Sequence, residues 1–313
     1  PSMSTAPDVS ILLPTRNRAH LIERAIKSVL AQTFTNFELI VVDGASTDAT
    51  ADVVAPFDVL RMYYLREETP RGAAAGENRG IAAARAEYIA FIDDDDEWLP
   101  SKLEAQWSRF LTEGDETGVI YTGRWLDKNG SRLFGPPLAI LARKGRIHRE
   151  LLNRTTFVPL VCAMVRKRCF DAVGLFDERL PTSNDYDLWV RMSEHFRFVY
   201  VPEPLVIVHP SPDSISTNAD NIIAARRMLL EKHAEALKRS GKNVAAFFHW
   251  QIGTLLIARG DVVDGRRHLA KAFLERPLRG VYAASWLTSL LGRDVYLEAR
   301  SRLHRWASPL RGA

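Results

Sequence analysis

Residues Tyr88–Pro100 read YIAFIDDDDEWLP. An apolar run, Tyr88–Ile92, leads straight into four consecutive aspartates and a glutamate. The run has the length and composition of a buried strand. Adjacent carboxylates repel and are costly to dehydrate, so they need either open water or a positive charge among them. Which of the two applies depends on where the strand lies in the chain.

Working outward, three more apolar runs precede it: Val9–Pro14 (VSILLP), Phe37–Val42 (FELIVV) and Val59–Leu65 (VLRMYYL). Between the first two, Leu21, Ile22, Ala25, Ile26, Val29 and Leu30 recur at helical spacing, which predicts a helix to about Gln32. Ser46-Thr47-Asp48 offers N-cap side chains for a short helix over Ala49–Ala55, and Gly72–Ala86 is alanine-rich and helix-competent. Alternating strands and helices point to an α/β fold, a mostly parallel sheet flanked by helices. Ligands of such sheets bind beyond the carboxyl ends of the strands. Thr15-Arg16-Asn17, Asp43-Gly44 and Asp93–Asp96 all fall at that edge, which shifts the acidic run from a solvated loop toward a site.

Further strands are expected at Val119–Thr122 and Val161–Val165, with a pair at Phe198–Val201 and Leu205–Val208 split by prolines. Ile222–Arg239, Val244–Arg259, Asp261–Glu275 and Val281–Leu291 then read as successive helices. Trp250–Pro277 resembles a single tetratricopeptide-type helix pair, and one copy cannot build a solenoid. The expected organisation is an α/β domain over residues 1–218 and an all-helical extension over 219–313.

The chain has 313 residues, 46% hydrophobic and 26% charged, with a formal net charge of +4. That charge is too small to argue for nucleic acid as a partner. The basic excess is late: from Arg259 onward there are eleven Lys/Arg against five Asp/Glu. Trp286, Leu287, Leu290 and Leu291 lie among arginines 279, 293, 300, 302 and 305. This pattern suits either a helix packed on its neighbour or peripheral contact with an anionic membrane surface. Two cysteines, Cys162 and Cys169, make neither a zinc site nor a disulfide framework and fit a reducing cytoplasm. No apolar stretch of about 18 residues is present to span a membrane. The expected location is cytoplasmic, with the inner membrane face as the contact surface.

Three ordered stretches carry a family resemblance: residues 9–50 (VSILLPTRNRAHLIERAIKSVLAQTFTNFELIVVDGASTDAT), 76–106 (GENRGIAAARAEYIAFIDDDDEWLPSKLEAQ) and 174–192 (GLFDERLPTSNDYDLWVRM). Together they resemble the family 2 glycosyltransferases of the GT-A fold. The resemblance spans roughly residues 8–215 and leaves out the last hundred. It implies inverting transfer of a sugar from a nucleotide-diphosphate donor, a UDP-sugar foremost, with Mn²⁺ or Mg²⁺, onto a glycan or lipid-linked acceptor. It also implies nucleotide-sugar binding over about 8–100 and an acceptor and catalytic part over about 101–218.

The residues supply chemistry for that reading. Asp93 and Asp95, one apart after a strand, present oxygens to a common side, as a hard divalent cation requires. The resemblance makes them the DXD motif, with Asp95 on the metal and Asp93 on the metal or the ribose. Four aspartates in a row leave the register open to Asp94 or Asp96. Asp43 is expected against the nucleotide base, with a turn-forming Asp-Gly as the alternative, and Pro14, Thr15 and Asn17 in the same nucleoside pocket. Asn78 and Arg79 match a donor-contacting segment in which Glu77 stands where the family often has arginine; Arg71 is a substitute phosphate contact. Inversion needs a base opposite the leaving group. Asp185 is the candidate, with Asn184 where the family has Glu and Asp187 as a structural neighbour. His209 is expected to complete the metal shell, or else to be structural. The polar stretch from His209 to Asn218 is a candidate lid over the donor. Two rivals are a catalytically impaired binding subunit and, less well supported, a sugar nucleotidyltransferase, which needs a glycine-rich loop after the first strand.

Overall fold

The computed structural model describes residues 6–57, 61–128, 130–135, 144–153, 155–210, 218–240 and 242–307. Among them, nine strands form one sheet: β1 (Val9–Thr15), β2 (Phe37–Asp43), β3 (Met62–Arg66), β4 (Tyr88–Phe91), β5 (Glu97–Trp98), β6 (Thr117–Lys128), β7 (Ser131–Gly135), β8 (Ala163–Arg166) and β9 (Arg197–Val208). The order is β3-β2-β1-β4-β8-β6-β9-β5, with β7 added to β6. The first four strands are mutually parallel; β8 runs antiparallel to β4 and β6, and β9 is parallel to β6. The sheet therefore grows one way from β1 to β2 and β3 and the other way to β4. Folds of this kind bind ligands at such a reversal, beyond the carboxyl ends of the strands, here β1 and β4.

The helices are α1 (Ile22–Leu30), α2 (Thr50–Val54), α3 (Ala73–Ala83), α4 (Lys102–Thr112), α5 (His148–Leu152), α6 (Arg168–Val173), α7 (Asn184–His195), α8 (Ala219–Lys232), α9 (Ala234–Ser240), α10 (Lys242–Arg259), α11 (Val262–Glu275), α12 (Gly280–Leu290) and α13 (Arg293–Ala307). The chain divides into two compact units. The first holds the described residues of Pro1–Ile147, Phe157–Arg179 and Asn184–Ser211; the second holds those of His148–Thr156, Leu180–Ser183 and Pro212–Ala313.

In the first unit β2 is buried at every position, and β1 at every position but Pro14. Two covered faces explain why these strands read as continuous apolar runs. Helix α1 buries Ile22, Ala25, Ile26 and Val29, one stripe at helical spacing. Helix α3 lies close on β1 because it carries glycines there. A Cβ at Gly80 would meet Leu12 Cδ2 at 2.9 Å, and one at Gly76 would meet Pro14 Cβ at 3.1 Å. This close approach puts α3 beside the end of β1.

Three boundaries differ from the sequence expectation. The proline-split pair is one strand, β9, paired with β6 through register shifts around Gly123, whose partner is Pro204; the irregularity accommodates an imide that donates no ladder bond. Strand β6 runs on through Arg124 to Lys128. The long helix expected after Ile222 is broken at His233, which leaves helical geometry at φ −103°, ψ 20°.

In the second unit α10 and α11 touch backbone to backbone. A Cβ on Gly253 would come within 2.7 Å of the Gly265 carbonyl oxygen. Small apolar clusters, Ile223/Ile252/Leu256 and Ile257/Leu269/Tyr296, flank that crossing. Trp286 stacks on Phe273 with ring centroids 5.2 Å apart, whereas Leu287, Leu290 and Leu291 are exposed by 55%, 50% and 71%. No helix among the described residues is long and apolar enough to cross a membrane.

Candidate active site

Three adjacent strands bring the first unit's polar residues together. In register, Thr15 at the end of β1 lies opposite Asp43 at the end of β2. The acidic turn starts two residues after β4 on the other side of β1. Asp96 N–H donates to the Asp93 carbonyl at 3.2 Å, which folds the four aspartates into a tight turn. Arg24 of α1 donates to the Asp95 carbonyl and holds that turn from behind.

The turn groups three of the four aspartates. Carboxylate oxygens of Asp93, Asp95 and Asp96 lie within 4.8 Å of one another. Asp94 points the other way: it accepts from Thr15 Oγ1 at 2.7 Å, with Arg18 Nε 4.0 Å away. Three carboxylates this close are electrostatically unfinished. Burial first, then Asp93 and Asp95, holds Asp96 well above the usual carboxylate range, against the opposing His209 N–H and Arg124. Crowding by protein, then the charges of Asp95, Asp94 and Asp185, pushes Asp93 up to about 7. The Asp93 side chain is nevertheless exposed, so like-charge repulsion is the part of that rise that persists in contact with water. Burial likewise raises Asp94 to about 6, opposed by Thr15 and Arg18. An all-oxygen set whose members repel one another suits a hard divalent cation, the one partner that relieves every pair at once.

Asp185 opens α7 and is near enough for its charge to raise the pKa of Asp93. Its Oδ1 accepts from the Tyr186 N–H at 2.7 Å. The helix that carries it is firmly seated: Trp189 Nε1 donates to the Val158 carbonyl at 2.9 Å, and the Trp189 ring meets Phe198 edge-on. Asp187, fully buried, pairs with Arg191 at 2.9 Å, and that guanidinium also holds the carbonyls of Val173, Gly174 and Leu175.

Other expected residues have protein partners. Asp43 is fully buried; Oδ1 accepts from the Ser46 N–H at 2.8 Å and Oδ2 from the Tyr64 hydroxyl. Asn17, at φ 55°, accepts from the Thr47 N–H through Oδ1, stitching the loop after β1 to the loop after β2. Pro14 is part-buried beneath Gly76. Asn78 spends both amide N–H groups on the Phe176 carbonyl and Glu178 and accepts from the Phe176 N–H, so it pins that loop. Arg79 lies 3.8 Å from Glu67, and Arg71 pairs with Glu178 at 2.7 Å. The His209 ring is not in the carboxylate group: Nε2 sits 3.6 Å from Glu97, while the His209 backbone N–H donates to Asp96 at 3.2 Å. Of the candidate lid, residues 211–217 lie outside the described residues.

Sequence reasoning missed two cations. Arg124, whose charge opposes the rise in Asp93 and Asp96, lies in the part of β6 beyond Thr122, where the apolar pattern fades. Arg24 lies beside the buried stripe of α1 and had no periodic signal. Glu77, noted only as a departure, is 4% exposed with Oε2 lacking a partner; burial and then Asp93 hold it well above the usual range.

Known proteins resemble this chain in sequence and fold. Residues 10–174 match the model of glycosyl transferase family 2. WcaA of Escherichia coli K12 is 30% identical over 261 residues, covering 80% of this chain and 90% of that protein; its name assigns it, provisionally, to colanic acid biosynthesis. WfgD of Escherichia coli, a UDP-Glc:α-D-GlcNAc-diphosphoundecaprenol β-1,3-glucosyltransferase, is 43% identical over 103 residues, 33% of this chain and 41% of that one. The solved mannosyltransferase PcManGT of Pyrobaculum calidifontis, in complex with GDP-Man and Mn²⁺, superimposes with a TM-score of 0.58 at 18% identity, over 94% of this chain and 88% of that one. The chain belongs to glycosyl transferase family 2, has the GT-A fold and is a glycosyltransferase.

Proposed function

We propose that the protein is an inverting, metal-dependent transferase that moves a sugar from a nucleotide-diphosphate donor, a UDP-sugar, to a hydroxyl of a glycan or lipid-linked acceptor. The observation that carries this reading is the convergence of Asp93, Asp95 and Asp96 on one point, with the charge of Asp185 close by. The three carboxylates would hold Mn²⁺ or Mg²⁺, which when bound offsets the charge that builds on a diphosphate leaving group. PcManGT, with Mn²⁺ in its complex, supports that choice of ion. Thr15 keeps Asp94 out of this set, facing the nucleoside side of the crevice, where Asn17 and Asp43 shape the loops. Asp185 takes the proton of the acceptor hydroxyl as its oxygen attacks the anomeric carbon; attack opposite the leaving group inverts the configuration. Asn184 cannot compete for that proton, because an amide is no base near neutral pH.

WfgD uses UDP-Glc and a diphosphoundecaprenol-linked acceptor, and WcaA and WfgD between them suggest a role in bacterial surface polysaccharide assembly at the cytoplasmic face. The exposed leucines 287 and 290 of α12 suit peripheral docking on an anionic membrane. The deciding experiment is transfer across a panel of UDP- and GDP-sugars with Mn²⁺, Mg²⁺ or EDTA, with the anomeric configuration of the product read by NMR. Transfer is expected only with metal and with inversion. Asp185→Asn should bind donor normally and lose about 10²–10⁴-fold in kcat. EDTA-indifferent transfer, or a retained configuration, overturns the reading.

A further inference from the structure

The second unit contains a cavity of about 350 Å³ lined by Arg149, Asn153, Arg239, Ser240 and Arg276. It is built where three helices end: α5 just before Asn153, α9 at Ser240, and α11 at Glu275, with Arg276 as its C-cap. Asn153 anchors the first of these, accepting from Asn243 and donating to the Arg149 carbonyl at 2.8 Å. Buried Leu151 and Leu152 of α5 and Leu237 of α9 hold the walls in place.

The charge balance of this cavity is lopsided. Among the described residues, no carboxylate lines it. The acids nearest in sequence are not part of the lining: Glu150, next to Arg149, is half-buried, Glu235 pairs with Lys238 at 2.8 Å, and Glu275 is exposed. None of the three arginines forms an ion pair among the described residues. The helix ends supply some negative potential, at most roughly half a charge each and less for helices of one or two turns. Three guanidinium charges outweigh that, so the cavity carries a net positive field. Guanidinium forks match the paired oxygens of phosphate, and the Ser240 hydroxyl adds a further donor. One carboxylate would leave most of this positive charge unmet, whereas a phosphate or diphosphate meets it. Two residues either side of Arg276 along the chain, Leu274 and Leu278 are exposed by 74% and 100%.

We propose that this cavity is a phosphate-binding site, taking the phosphate or diphosphate group of a ligand whose apolar part rests on the neighbouring leucines. The site shares no residue with the acidic turn, and the proposal does not depend on the catalytic reading. Its test uses the full chain in EDTA, so that no metal bridges pyrophosphate to the carboxylates. Inorganic pyrophosphate is titrated calorimetrically into the unsubstituted protein, into Arg149→Gln, Arg239→Gln and Arg276→Gln, and into Arg109→Gln as a charge-matched control on another surface. Each cavity substitution should weaken binding about tenfold, and the control less than about twofold. Flotation with phosphatidylcholine vesicles, with and without phosphatidic acid, identifies the source. Arginine-dependent flotation on phosphatidic acid marks a lipid-borne phosphate; arginine-dependent pyrophosphate binding without flotation marks a soluble one. Either result supports the site. Absence of both, or equal losses in the cavity and control variants, overturns it. Thermal melting of each variant confirms that the surface substitutions leave the fold intact.

Discussion

Two strand ends flank β1, and each carries aspartate in a different condition. At the end of β2, Asp43 is completely buried, yet a backbone N–H and a tyrosine hydroxyl reach its two oxygens. Beyond β4, Asp93, Asp95 and Asp96 face one another, and only Asp96 accepts a backbone N–H, from His209. Residue type and sheet edge are the same; the difference is whether the protein supplies the donors. A carboxylate given donors is part of the fold. Carboxylates left to each other store repulsion, which in the proposed reading a cation would relieve.

The largest expected effect would break this contrast at its acidic side. Asp95→Asn should lower metal-dependent transfer by about a thousandfold, roughly 4 kcal/mol, while leaving the metal-free melting temperature unchanged or higher. Unsubstituted protein should gain thermal stability with Mn²⁺, because only the folded chain gathers the three carboxylates. Its apparent Mn²⁺ affinity should fall as pH drops, because like-charge repulsion raises the Asp93 pKa and a proton there competes with the ion. A melting temperature indifferent to Mn²⁺, or lost with Asp95, would mean that the turn is structural.

A buried charge with meagre partners sharpens the comparison. Lys102 of α4 is fully buried; its ammonium reaches Gln106 Oε1 at 2.8 Å and the Trp98 ring face at 3.8 Å. Burial pulls its pKa down to about 7, whereas an unfolded lysine titrates near 10.4. Between those values the unfolded chain holds the extra proton, so stability should rise with pH from about 7 to 10. The full span is worth about 5 kcal/mol. Lys102→Met should flatten that rise in chemical-denaturation curves and stabilise the protein at pH 7; a slope unchanged in the variant refutes the assignment.

The smallest effect lies at the satisfied end. Asp43→Ala should cost about 2 kcal/mol in denaturation midpoint, because the Ser46 N–H and the Tyr64 hydroxyl lose their acceptor in a buried place. Mn²⁺-induced stabilisation should persist in that variant. Loss of metal response there would join the two strand ends into one site and erase the distinction.

Much of this was legible in the residues. The apolar runs at 9–14, 37–42 and 88–92 are buried strands because both faces of a central parallel sheet are covered, which removes polar alternation from the sequence. Glycines 76 and 80 let α3 approach β1 closely, a role that the packing reveals. Less legible were the prolines of β9, which look like strand breaks until a bulge at Gly123 of β6 accommodates them. Arg124 was hidden for the same reason, since it lies on the far side of that irregularity.

The sequence by itself determined that four carboxylates follow a buried strand, that helices alternate with strands, and that Asp185 precedes an apolar helix face. These are properties of local order, where periodicity and composition carry the information. Only the tertiary structure decided which aspartates converge. Asp94 turns to Thr15 of β1, His209 turns its ring to Glu97, and Asp96 joins Asp93 and Asp95 instead. That choice depends on hydrogen bonds between residues 79 and 113 positions apart, Thr15 to Asp94 and His209 to Asp96. The meeting of Arg149, Arg239 and Arg276 has the same origin: three helix ends distant in sequence share one cavity wall, which no local pattern encodes.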